Sequence, residues 1–184
     1  MLMFFETTDV EISTKPFETP HWKAVKIITP NLNELKHIAS FLNISTNNVF
    51  CNNIEEAAII SKRLVNYVEN VIVTLGSSGA LIARKGLATE SFLDNARNNK
   101  VYVRHYPANK IDNFVNVSGA GDCLASGIIA AILSGLSEEQ CISVGFAAAR
   151  SALYSQSAIP KEIFDKTHSA WTTPALFKTI YVNS

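Results

Sequence analysis

Asn116-Val117-Ser118-Gly119-Ala120-Gly121-Asp122, running on into Cys123-Leu124-Ala125-Ser126-Gly127, is the stretch on which the reading of this chain turns. Four features meet in it: a strand-like apolar run up to Val115, a Gly-Ala-Gly turn, an acid directly after the turn, and a helix beginning at that acid. Glycine lets a backbone approach a ligand closely, and successive N–H groups at a helix N-terminus form a site for an anion. A phosphoryl group in transfer spreads negative charge over its oxygens, so such a cradle stabilises the transition state. An aspartate fixed beside the cradle can take the proton from an attacking hydroxyl. The plainer alternative is a glycine turn in which Asp122 merely favours the positive end of the helix. The glycines alone do not separate the two, because short glycine motifs recur by chance. The stretch is not a Walker loop, lacking Gly-Lys-Ser/Thr. Nor does a Gly-x-Gly-x-x-Gly follow the first strand, as a dinucleotide oxidoreductase would require.

Outward from this turn, strands and helices alternate. Leu2 to Phe5 and Val25 to Thr29 are short apolar runs that read as buried strands, the second stopped by Pro30. Between them Thr7 to His21, with Pro16 and Pro20, reads as a connection holding at most a short helical turn. Leu32, Leu35, Ile38, Ala39 and Leu42 recur at helical spacing behind Asn31, a good cap. A second amphipathic helix is expected from Ile54 to Glu69, then a strand from Val71 to Leu75. Gly76-Ser77-Ser78-Gly79 predicts a hairpin into Ala80 to Ala83, with further strands at Thr89 to Leu93 and Val101 to Tyr106. The helix opened at Asp122 reaches Leu133 and stops at Gly135, and Ser137 caps another that reaches Tyr154. This order argues α/β layering about a largely parallel sheet.

Two further clusters fit a phosphoryl-transfer reading. Asn31 and Glu34 lie one helical turn apart on one face, where they can order water around Mg²⁺ and phosphates. A capping box explains the same pair without any ligand. Thr74-Leu75-Gly76-Ser77-Ser78-Gly79 places a threonine at a strand end before a glycine turn, which hairpin chemistry also explains. His21, His37, His105 and His168 are scattered without metal spacing, and Trp22 and Trp171 read as packing residues. Cys51, Cys123 and Cys141 form no pair or ligand spacing and suit free thiols in a reducing cytoplasm. Among 184 residues, 16 Lys+Arg balance 16 Asp+Glu, so no basic face for nucleic acid is indicated. The apolar start is too short for a membrane segment, and hydrophobic residues, 47% of the chain, suffice for a core.

Taken together and in this order, the three motifs resemble the ribokinase (pfkB) family, with its Asn-x-x-Glu, Thr-x-Gly-x-x-Gly and Asp-Thr-x-Gly-Ala-Gly-Asp elements. The resemblance implies a three-layer α/β/α fold and ATP with Mg²⁺ as cofactors. It makes Asp122 the catalytic base and the Gly119, Ala120 and Gly121 amides the anion hole. Thr74, Gly76, Gly79 and Asn31 fall to the nucleotide, and Asn31 and Glu34 to Mg²⁺ through water. The first acid of the third pattern is Asn116 here; in relatives that acid helps hold a monovalent cation, so the resemblance leaves potassium activation open.

Within the family the chain is most similar to the pseudouridine kinase branch. The similarity lies in Phe4 to Val10, Lys15-Pro16-Phe17, Trp22 to Val25, Asn116 to Asp122 and Gly135 to Glu139. The implied reaction is phosphorylation of a ribosyl 5′-hydroxyl, on a nucleoside or sugar. A different acceptor, or nucleotide binding without catalysis, remains open at this point. The resemblance spans residues 1–184 but only the C-terminal two-thirds of a typical family domain, without its N-terminal part and β lid. A sheet begun partway exposes a strand edge, which a second copy or the missing segment would cover.

Overall fold

The computed structural model describes residues 3–45, 52–86, 90–92, 99–161 and 164–182. The chain forms two compact units. The first comprises Met1–Leu87, Asn95–Pro107 and Phe177–Ser184, and the second Ala88–Asp94 and Ala108–Leu176.

Among the described residues the first unit is a six-stranded sheet with helices packed on it. Its strands, in spatial as well as chain order, are β1 (Met3–Phe5), β2 (Val25–Ile28), β3 (Asn70–Thr74), β4 (Ala80–Lys85), β5 (Val101–Tyr106) and β6 (Lys178–Thr179). β1, β2 and β3 are parallel, and the remaining pairings are antiparallel. The expected parallel character therefore holds for the first three strands only. The reason is local: the turn at Gly76–Ser78 sends β4 straight back along β3, whereas β2 and β3 are joined through helices. Those helices are α1 (Leu32–Phe41) and α2 (Asn53–Leu64). Their apolar faces, Leu35, Ile38, Ala57, Ile60 and Leu64 among them, pack with Ile28, Val71, Val73, Leu81 and Ala83 of the sheet. Period-two alternation puts Ile72 and Ile82 on the opposite face, where they are also buried.

Several expectations need correction. The connection from Thr7 to His21 holds two 3₁₀ segments, Ile12–Glu18 and Pro20–Ala24, rather than one short turn. α2 ends at Leu64, five residues before Glu69. Its apolar period continues because Val68, beyond the helix, still fills the core. Glu90 to Phe92 are not in a strand, and Thr89 and Leu93 lie outside the described residues, as does Cys51.

The second unit is built on α3 (Ala120–Leu133) and α4 (Glu138–Leu153). Ser137 caps α4 in a capping box with Gln140, and Gly135, with φ +73°, lets the chain leave α3. The helices cross with their backbones unusually near. A Cβ on Gly127 would lie 3.0 Å from Ala148 Cβ, Gly145 Cα and the Val144 carbonyl oxygen alike. The small-residue stretch from Ser143 to Ala152 is accordingly a packing surface, with Val144, Gly145, Ala148 and Ala152 buried. Among the described residues no helix is long and apolar enough to cross a membrane.

Candidate active site

In the first unit, the β2–α1 junction is set by Pro30 and Asn31. Asn31 holds extended backbone (φ −78°, ψ 175°), and its Oδ1 accepts the Asn33 and Glu34 amides at 2.9 and 3.0 Å. Glu34 Oε2 answers by accepting the Asn31 amide at 2.8 Å, which completes a capping box. The capping explanation is thus realised, and its partners are the residues expected to serve Mg²⁺. Thr74 lies beside Asn31: the two form a parallel bridge, with the Thr74 amide donating to the Pro30 carbonyl at 2.9 Å. Asn31, Glu34 and Thr74 therefore gather at the C-terminal ends of β2 and β3, the edge where open parallel sheets take ligands.

Beyond Thr74 the chain turns through two glycines in left-handed backbone. Gly76 has φ +56° and Gly79 φ +98°, conformations that side chains with a Cβ rarely adopt. The Gly79 carbonyl accepts the Leu75 amide at 2.8 Å and closes the turn. His105 of β5 holds the turn from the side, its Nε2 lying 2.7 Å from the Ser78 carbonyl oxygen. A Cβ on Gly76 would meet nothing within 4 Å, so that position faces open space.

Sequence reasoning missed Thr7, which it had assigned only to the connection after β1. Thr7 is fully buried, and its hydroxyl donates to Glu34 Oε2. No local spacing signals a contact between residues 27 positions apart.

In the second unit, Gly119 is the N-cap of α3 and sits in left-handed backbone (φ +78°, ψ −4°). A Cβ there would fall 2.1 Å from the Ala158 carbonyl oxygen, so only glycine fits. α3 begins at Ala120, two residues before Asp122, and the Cys123 amide makes the first helical bond, to the Gly119 carbonyl at 2.9 Å. The Gly121 and Asp122 amides have no partner among the described residues, as helix geometry dictates for first-turn donors. Gly121 has open space where a Cβ would stand, and Asp122 is exposed. Free amides, room for an anion and an accessible carboxylate thus lie within one turn of backbone. The residues before the cradle are not the strand expected there. The Val115 and Asn116 amides instead donate to the Leu153 carbonyl at the end of α4, at 2.8 and 3.2 Å. The Asn116 side chain is committed locally, its Oδ1 accepting the Ser118 amide at 2.9 Å. Burial, and then the neighbouring Asp122 carboxylate, push the Cys123 thiol up, which makes it a poor nucleophile.

The structure thus brings together Asn31, Glu34, Thr74 and the glycine turn in one unit, and Gly119 to Asp122 in the other. Two surface cavities of the first unit, about 500 and 300 Å³, contain none of these residues. Among the described residues no three His, Cys, Asp or Glu side chains cluster as a direct metal cage.

Comparison with known proteins supplies the context. The chain is 30% identical over 126 residues to a pseudouridine kinase of Arabidopsis thaliana, an alignment covering 54% of this chain and 33% of that one. It therefore spans about a third of the curated relative it matches. A ribokinase of Cryptococcus neoformans in complex with ADP superposes with a TM-score of 0.66 at 20% identity, over 87% of this chain and 48% of that one. An adenosine kinase of Anopheles gambiae, in complex with P1,P4-di(adenosine-5) tetraphosphate, gives 0.64 at 21% identity, over 85% and 43%. These likenesses show a ribokinase-like α/β fold. A sequence model of the pfkB family of carbohydrate kinases matches residues 19–163, well over half of the chain. The chain belongs to the pfkB carbohydrate kinase family.

Proposed function

We propose that this chain carries the nucleotide-binding and catalytic part of an ATP-dependent kinase that phosphorylates the 5′-hydroxyl of a ribosyl substrate, pseudouridine foremost. The observation that carries the reading is the start of α3, where position 119 admits only glycine, the Gly121 and Asp122 amides have no partner among the described residues, and Asp122 stands exposed beside them. Asp122 takes the proton of the attacking hydroxyl, and the amides of Gly119 to Gly121 receive the charge of the transferring phosphoryl group. Thr74, Gly76 and Gly79 face the nucleotide. Magnesium neutralises phosphate charge when bound, and it is an ion that keeps several waters and takes few protein oxygens. Glu34 offers an oxygen of that kind at a strand-end site, and Asn31, whose Oδ1 already accepts two amides, acts there through the capping bonds that place Glu34. Asn116 is neutral and its Oδ1 accepts the Ser118 amide, so this position brings no carboxylate to a monovalent cation. The buried thiols Cys123 and Cys141 suit a reducing cytoplasm.

Pseudouridine is favoured over other acceptors by the 30% identity to a pseudouridine kinase. ATP-dependent phosphorylation should be measured on pseudouridine, uridine, adenosine and ribose, with ATP binding followed in parallel. Turnover greatest on pseudouridine is expected; turnover greatest on another acceptor would reassign the substrate. A second reading is a nucleotide-binding segment without catalysis. ATP binding with no turnover on any acceptor would select it.

A further inference from the structure

We infer that Thr7 is a positioning residue for Glu34, holding one carboxylate oxygen so that the other is offered to magnesium-bound water. The inference rests on the magnesium role proposed for Glu34. A capping box needs only the bond from the Asn31 amide to Glu34 and its return, and both are present without Thr7. The same chain shows how a cap alone is built. At α4 the reaching side chain is the neutral Gln140, which answers the Ser137 amide at 3.2 Å. At α1 the reaching group is instead a carboxylate only 5% exposed, and burying a charge is costly unless it is well bonded. Thr7 supplies the second bond to Oε2. Its single proton has another acceptor nearby, the Thr29 carbonyl at 3.3 Å, but the carboxylate is the nearer and the stronger one. Oε1 has no protein partner among the described residues. Two bonds on one oxygen and none on the other fit a carboxylate oriented for a ligand rather than for a helix cap.

The test uses the 184-residue chain, with ATP binding followed calorimetrically across a Mg²⁺ series and thermal midpoints recorded alongside. Thr7→Val should raise the Mg²⁺ concentration for half-maximal ATP binding about tenfold, the usual scale for an outer-shell partner of a metal ligand. Thr7→Ser, which keeps the hydroxyl, should stay within about twofold, and the Thr7→Val/Glu34→Gln double variant should be no worse than Glu34→Gln alone. Thr7→Ala serves as the deletion if valine disturbs packing. A lowered midpoint with an unchanged Mg²⁺ requirement would reduce Thr7 to a structural tie, and additive effects would break its link to Glu34. An unaltered Mg²⁺ requirement in Glu34→Gln would overturn the magnesium role itself, and the Thr7 inference with it. The same holds if the unsubstituted chain shows no Mg²⁺-dependent ATP binding.

Discussion

At Gly119 two separate causes demand glycine. Left-handed backbone costs a residue with a Cβ about 1–2 kcal/mol, and the added atom would also strike a carbonyl oxygen. That oxygen, on Ala158, is backbone and cannot swing aside like a side-chain tip. Gly119→Ala is therefore expected to destabilise the chain by more than the conformational term alone, and to weaken ATP binding by displacing the first amides of α3. Gly76→Ala is the internal control: its φ of +56° carries the same conformational cost, but open space means no collision. Paired urea unfolding should show the larger loss at Gly119; equal losses would mean that the Ala158 contact contributes nothing. The glycines of the motif were legible in the sequence as a pattern. The Ala158 contact was not, because it joins residues 39 positions apart with no spacing to betray it.

Among the elements, the α3–α4 crossing depends on the absence of side chains. A methyl group on Gly127 would lie 3.0 Å from two α4 backbone atoms and the Ala148 Cβ, so the helices would have to separate. Gly127→Ala should cost about 1–3 kcal/mol, in the range of overpacked cores, and differential scanning calorimetry would show the lowered midpoint. An unchanged midpoint would mean that the crossing yields freely. What was legible at this scale was what is local. The Asn31 cap answered by Glu34 fixed the start of α1, and glycines at positions 76 and 79 fixed the β3–β4 hairpin. The failures follow from long-range partners. Phe114 and Val115 look like strand residues, yet both are exposed, and the Val115 amide is bonded to the end of α4. The apolar rhythm of α2 outran the helix because Val68 is buried from non-helical backbone. Of the candidate site, the glycine cradle and the Asn31–Glu34 pair could be read from short motifs, whereas the hydroxyl that bonds Glu34 could not.

For the whole molecule, the proposed roles divide along the two units: nucleotide and metal residues are proposed in the sheet unit, base and anion cradle in the helical one. Each has its own local physics, a strand-end edge in the first and a helix N-terminus in the second. The claim at the centre is that Asp122 acts as a base rather than as a helix-end charge. Asp122→Asn keeps the shape and the helix start but removes the proton acceptor. The most direct measurement is the rate of ATP-dependent pseudouridine phosphorylation by this variant beside its affinity for ATP. The expected result is a rate lower by about 10²–10⁴-fold, the usual contribution of a positioned general base, with ATP affinity within about twofold. Near-normal turnover in Asp122→Asn would contradict the assignment and leave Asp122 as no more than a favourable charge at the start of α3.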